Sequence, residues 1–126
     1  MGGVFEINVK TDFSAAHCLR EYDGDCERLH GHNWTVELSV RCRNLNEIGI
    51  GVDFRDAKKA LKEVIGRLDH NHLNELPAFR KENPTSENIA RFLYGELSRK
   101  LNADGVKVSR VKVFETPAAG VCYWEE

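Results

Sequence analysis

Apolar and polar residues alternate with a period of two at both ends of the chain, and with a helical period in between. Over residues 30–42, Trp34, Val36, Leu38, Val40 and Cys42 share one parity, and Asn33, Thr35, Glu37, Ser39 and Arg41 take the other. That alternation predicts a strand with one buried face. Phe5, Ile7 and Val9 alternate with Glu6, Asn8 and Lys10, so residues 4–13 also read as a half-buried strand. The charged stretch 20–29, which contains Gly24, reads as a loop. Asp53 stands where it caps a helix running to about Leu68, with Phe54, Ala57, Leu61, Val64, Ile65 and Leu68 as its apolar stripe. Asn83-Pro84-Thr85-Ser86-Glu87 supplies a second helix start, with a hydroxyl cap and an early acid. Ile89, Phe92, Leu93, Leu97 and Leu101 carry the stripe of that helix. Residues 106–115 return to strand pattern, with Val111, Val113 and Glu115 on one parity. Pro117-Ala118-Ala119-Gly120 reads as a turn into a last strand, 121–125.

The predicted order is β-β-α-α-β-β. No linker, repeat or low-complexity tract interrupts it, so residues 1–126 read as a single α+β domain. Its helices would lie on one face of a four-stranded antiparallel sheet. Such a sheet has two open edges, here lightly guarded by proline or lysine. Pairing with another copy is one way to manage them.

Composition narrows the function classes. With 126 residues, the chain is long enough to bury a core without staples. A formal net charge of −2 gives no basic footprint for nucleic acid. No apolar run reaches the length of a membrane span, and no signal-peptide pattern is seen. The four cysteines, at 18, 26, 42 and 122, form no C-x-x-C pair. They read as reduced thiols of a cytoplasmic protein.

The candidate chemistry lies in the five histidines and one of the cysteines. Positions i and i+2 of a strand face the same way, so His30 and His32 point together. His17, at the end of the first strand if that strand continues, is the natural third ligand. Zinc in a catalytic site commonly takes three protein ligands and keeps one position open. A bare H-x-H pair also occurs without metal, and Cys26 could instead close a structural site as fourth ligand. Asp69-His70 reads as an acid–imidazole pair, provided a turn brings the two side chains together. Glu115, at the end of an apolar strand face, is either an exposed strand-end acid or a carboxylate that accepts N–H groups from a flat, amidine-like ligand. Thr116, Thr85 and Ser86 could add polar contacts.

Taken in order, several short runs resemble the 6-pyruvoyl-tetrahydropterin synthase superfamily over essentially the whole chain. They are Phe13-Ser14-Ala15-Ala16-His17, Cys26-Glu27-Arg28-Leu29-His30-Gly31-His32, Val52-Asp53-Phe54, Leu68-Asp69-His70, Leu73-Asn74, Asn83-Pro84-Thr85-Ser86-Glu87 and Glu115-Thr116. The three residues between Cys26 and His30 resemble the compact spacing of the branch that makes 6-carboxy-5,6,7,8-tetrahydropterin for queuosine. The resemblance implies His17, His30 and His32 as zinc ligands, and Cys26 as the catalytic thiol with Asp69 and His70 as its relay. It implies Glu115 as the anchor of the pterin ring. It also implies the tunnelling fold: three subunits close a twelve-stranded barrel, two trimers stack, and the active sites lie between subunits. The implied substrate is 7,8-dihydroneopterin triphosphate, with triphosphate and acetaldehyde lost. A pyruvoyl-forming enzyme, an aldolase-like relative and a non-catalytic pterin-binding module are the alternatives.

Overall fold

The computed structural model describes residues 2–24 and 27–126. Cys26, the expected catalytic thiol, lies outside the described residues. The sheet is antiparallel and runs in chain order: β1 (Phe5–His17), β2 (His30–Cys42), β3 (Val106–Thr116) and β4 (Ala119–Tyr123). Between β2 and β3 come α1 (Phe54–Ile65) and α2 (Ser86–Leu101). No helix among the described residues is long and apolar enough to cross a membrane.

The core lies between the helices and one face of the sheet. Val9, Phe13, Trp34, Val36, Leu38, Val111 and Val113 meet Leu61, Val64, Ile89, Leu93 and Leu97 there, all buried. The opposite face is polar. Glu37 lies between Lys10 and Lys112, and Arg110 pairs with Glu6 at 3.1 Å. The predicted caps form: Asp53 accepts from the Arg55 N–H at 2.8 Å, and Thr85 from the Asn88 N–H at 3.1 Å.

Three element ends differ from expectation. β1 runs on to His17 because the small residues Ser14, Ala15 and Ala16 are paired on both sides. β2 lies along one edge, and residues 70–72 approach the other through His70 N–H to Ser14 and Ala16 N–H to Asn71. α1 stops at Ile65, while Leu68 stays buried in the turn beyond it. β4 begins at Ala119, since Thr116 pairs with Ala119 across a two-residue loop. The turn is therefore tighter than the expected four residues.

Two irregularities on β3 direct its side chains. The pairing shifts between Ser39↔Arg110 and Val40↔Val108, which leaves Ser109 extra. Val108 and the opposite-parity Val111 and Val113 are therefore all buried. A second shift, between Phe114↔Gly120 and Thr116↔Ala119, leaves Glu115 as the extra residue. Bulges of this kind re-aim a side chain. Gly120 is required here, because a Cβ on it would run into the Phe114 ring.

Candidate metal centre

Register builds the site. His17 pairs with His30 and Ala15 with His32, at the end of the β1–β2 ladder. His30 and His32 continue the face that carries Trp34, one step beyond the apolar core. A one-residue slip would turn all of them to the polar face. Trp34 forms the floor: its ring meets His17 edge-on at 4.9 Å and His32 at 5.4 Å. Its indole N–H donates to the Ala15 carbonyl at 3.3 Å.

His17, His30, His32 and Glu115 each offer one donor atom, and these atoms lie within 4.8 Å of one another. Glu115 Oε1 is 3.2 Å from His17 Nε2 and 3.4 Å from His32 Nε2. Despite that proximity, both Nε2 atoms are buried without a hydrogen-bond partner. The Nδ1 atoms of His17 and His30 are engaged. His17 Nδ1 lies 2.8 Å from the Pro84 carbonyl, and His30 Nδ1 lies 2.8 Å from the Arg28 carbonyl. A carbonyl only accepts, so each Nδ1 carries the proton and each Nε2 presents a lone pair. Metal-bound histidines show this arrangement, with one nitrogen fixed by an outer acceptor and the other bare. Burial pushes the His32 imidazole below its ordinary pKa, reinforced by His17 and His30 and opposed by Glu115. This favours the neutral form that a metal needs. The donor set therefore fits a divalent ion of zinc's preference.

The remaining predicted residues fall into two groups. Pro84 brings the start of α2, and so Thr85 and Ser86, up to His17. The Thr85 hydroxyl also serves as the helix cap. Thr116 follows Glu115 and accepts from the Ala118 N–H at 3.3 Å. Glu115 itself sits among imidazoles, not in the apolar surroundings that its strand suggests.

Asp69 and His70 form their predicted pair, with His70 Nδ1 3.0 Å from Asp69 Oδ1. The turn that joins them holds His70 at φ 59°, a left-handed conformation unusual for histidine. Asp69 also accepts from the Ser14 N–H at 2.9 Å. That bond, helped by His70 and opposed by burial, holds the Asp69 carboxyl below the usual range. The pair is fixed to the outer edge of β1, and the His70 side chain is 81% exposed. Its described hydrogen-bond partners are Asp69 and Ser14, not the three-histidine cluster.

Sequence reasoning missed the scaffold beneath the cluster. Asn74 accepts from the Cys18 N–H at 3.0 Å and donates to the Cys18 carbonyl at 2.8 Å. Asn83 does the same to Arg20, at 2.8 and 3.0 Å. Arg20 in turn donates to the carbonyls of Asn74, Phe79 and Glu82. The signal was present, since both asparagines lie in the runs Leu73-Asn74 and Asn83-Pro84, but their partners are backbone groups far away in sequence.

Comparison with known proteins agrees with this architecture. The sequence model of the 6-pyruvoyl tetrahydropterin synthase family matches residues 6–126. The 6-carboxy-5,6,7,8-tetrahydropterin synthase of Bacillus subtilis is 36% identical, over 94% of this chain and 84% of its own. The dihydroneopterin monophosphate aldolase of Pyrococcus furiosus is 34% identical, over 91% and 93%. The solved 6-pyruvoyl tetrahydropterin synthase of Caenorhabditis elegans superposes with a TM-score of 0.86 over 99% of this chain and 98% of that one. Its identity is 22%, so it speaks to the fold alone.

Proposed function

The chain belongs to the 6-pyruvoyl tetrahydropterin synthase family, and from that premise we propose that it is a zinc-dependent lyase acting on 7,8-dihydroneopterin triphosphate. With one water consumed, the products are 6-carboxy-5,6,7,8-tetrahydropterin, acetaldehyde and triphosphate, as a step of queuosine biosynthesis. The observation that carries the reading is the convergence of three imidazoles and Glu115 on one point, with the Nε2 atoms of His17 and His32 buried and unpartnered. The Bacillus subtilis relative's name supports the carboxy product.

In this reading His17, His30 and His32 hold the ion, which supplies a Lewis acid for the oxygens of the substrate's side chain. Glu115 accepts the N–H groups of the amino-pyrimidine edge, a charge-assisted pairing in a fixed plane. Thr116, Thr85 and Ser86 add polar contacts around that edge. Cys26, as thiolate, removes a carbon-bound proton of the substrate side chain. His70, oriented by Asp69, passes protons to and from the reacting centre. Its exposure suits a relay that reaches the site of a neighbouring copy. The working assembly is a homohexamer of two stacked trimers, in which the open edges of β1 and β4 pair between copies. The enzyme is a single-domain cytoplasmic protein, in keeping with the free thiols of Cys18, Cys42 and Cys122.

A second reading has one specific support, the aldolase named for the Pyrococcus furiosus relative. In that case the same site would cleave the side chain of a dihydroneopterin monophosphate, with no triphosphate to eliminate. Both readings require the metal. His30→Ala and His32→Ala should lose zinc and turnover together, as read by metal analysis of purified protein and by pterin product formation. Full zinc retention in both variants would refute the metal assignment.

A further inference from the structure

We propose that in the substrate-free protein Glu115 is itself the fourth ligand of the bound ion, and that the amino-pyrimidine edge of a pterin draws it away. The metal position would then open only to a molecule that presents that edge. The inference rests on the proposed function for the identity of the ligand, and on the geometry alone for the role of Glu115.

Toward His17 and His32 the geometry of Glu115 is that of a donor set, not of an ion pair, while the four donors together span up to 4.8 Å. Four donors at 2.0–2.1 Å around a tetrahedral ion are separated by about 3.3–3.4 Å. Glu115 Oε1 stands 3.2 and 3.4 Å from the Nε2 atoms of His17 and His32. If these were hydrogen bonds, the nitrogens would be satisfied; instead both are buried and unpartnered. The His17 proton is on Nδ1, committed to Pro84. A carboxylate lone pair and an imidazole lone pair therefore face a common point, an arrangement that repels unless a cation lies between them. Sites closed by four protein ligands are structural, while three ligands and an open position mark catalysis. Here the fourth donor is a carboxylate, while the Nδ1 atoms of His17 and His30 are tied to backbone carbonyls. Glu115 is the extra residue of a bulge and is one-third exposed. A ligand with two parallel N–H donors can therefore compete for it from the solvent side.

The test uses the cobalt-substituted protein, whose visible absorption reports coordination, with neopterin as a pterin that cannot eliminate triphosphate. The wild type and Glu115→Ala should differ in spectrum without ligand. Neopterin should shift the wild type toward the variant, while glycerol, a vicinal diol without the ring, should not. Zinc affinity measured by chelator competition should fall at least about tenfold in Glu115→Ala, as for the loss of a ligand-shell partner. If that variant does not fold, Glu115→Asp, which withdraws the carboxylate by one methylene, should change the spectrum in the same sense. Identical spectra for wild type and variant would overturn the assignment. A wild-type shift with glycerol equal to that with neopterin would overturn the edge-triggered exchange. If a fluorescence titration finds no neopterin binding while the spectra still differ, the pterin reading falls and the ligand assignment stands.

Discussion

Replacing Asn83 with leucine removes a side chain that acts as a short piece of strand. Its amide accepts from the Arg20 N–H at 2.8 Å and donates to the Arg20 carbonyl at 3.0 Å. Asn74 treats Cys18 in the same way. Together they extend the pairing of β1 three residues beyond His17, without a neighbouring strand. Leucine is close in size and makes neither bond. Each bond is worth about 0.5–1.5 kcal/mol net, and a half-buried group left unpaired costs about 1–3. Asn83→Leu should therefore cost about 2–4 kcal/mol. An unfolding entropy of about 2.1 cal/mol/K per residue over 126 residues gives about 0.26 kcal/mol/K, so Tm should fall by about 8–15 °C. Asn83→Asp keeps the acceptor for the Arg20 N–H but turns a carboxylate oxygen toward the Arg20 carbonyl, so it should cost at least as much. Thermal unfolding of metal-stripped protein, followed by circular dichroism at equal concentration, measures both. Pro84 follows Asn83 and fixes His17, so zinc affinity should also drop by about tenfold. A Tm within about 4 °C of wild type for Asn83→Leu would refute this account of how the site is assembled.

Cys26→Ala should keep near-stoichiometric zinc and lose turnover; loss of zinc instead would make Cys26 a fourth ligand. Asp69 ionises more readily in the folded chain, chiefly because it accepts from the Ser14 N–H. Its contribution to stability is therefore present above the ordinary carboxylate value of about 4 and lost as pH falls through its lowered folded value. Asp69→Asn should lower the urea midpoint at pH 7, and the gap should close only as pH falls below the ordinary carboxylate value and through the lowered folded one; a gap that stays constant with pH would contradict this. Gly120→Ala forces a Cβ into the Phe114 ring beside the Glu115 bulge. It should cost about 1–3 kcal/mol and weaken zinc binding, while an unchanged midpoint and affinity would mean that the bulge does not aim Glu115.

Local rules carried the sequence reading a long way. β2 was legible because its apolar set runs unbroken on even positions from Trp34 to Cys42, and the same parity already pointed His30 and His32 together. Both helix caps were legible because Asp53 and Thr85 act within their own first turn. What was not legible depends on distant partners. β1 continues through Ser14–Ala16, where alternation fades, because residues 70–72 supply hydrogen bonds from the far edge. Glu115 joins the histidines because two bulges reset the parity of β3, a change visible in sequence only as the break between Val108 and Val111. The amide clamps bridge more than fifty positions and leave no periodic trace.

The central claim is that this site turns 7,8-dihydroneopterin triphosphate into the 6-carboxy product. Mass spectrometry of the pterin formed by the zinc-loaded enzyme, with acetaldehyde and triphosphate assayed in the same reaction, tests it directly. The account predicts 6-carboxy-5,6,7,8-tetrahydropterin with one acetaldehyde and one triphosphate per turnover. A 6-pyruvoyl product, or side-chain cleavage with the triphosphate still esterified, would contradict it.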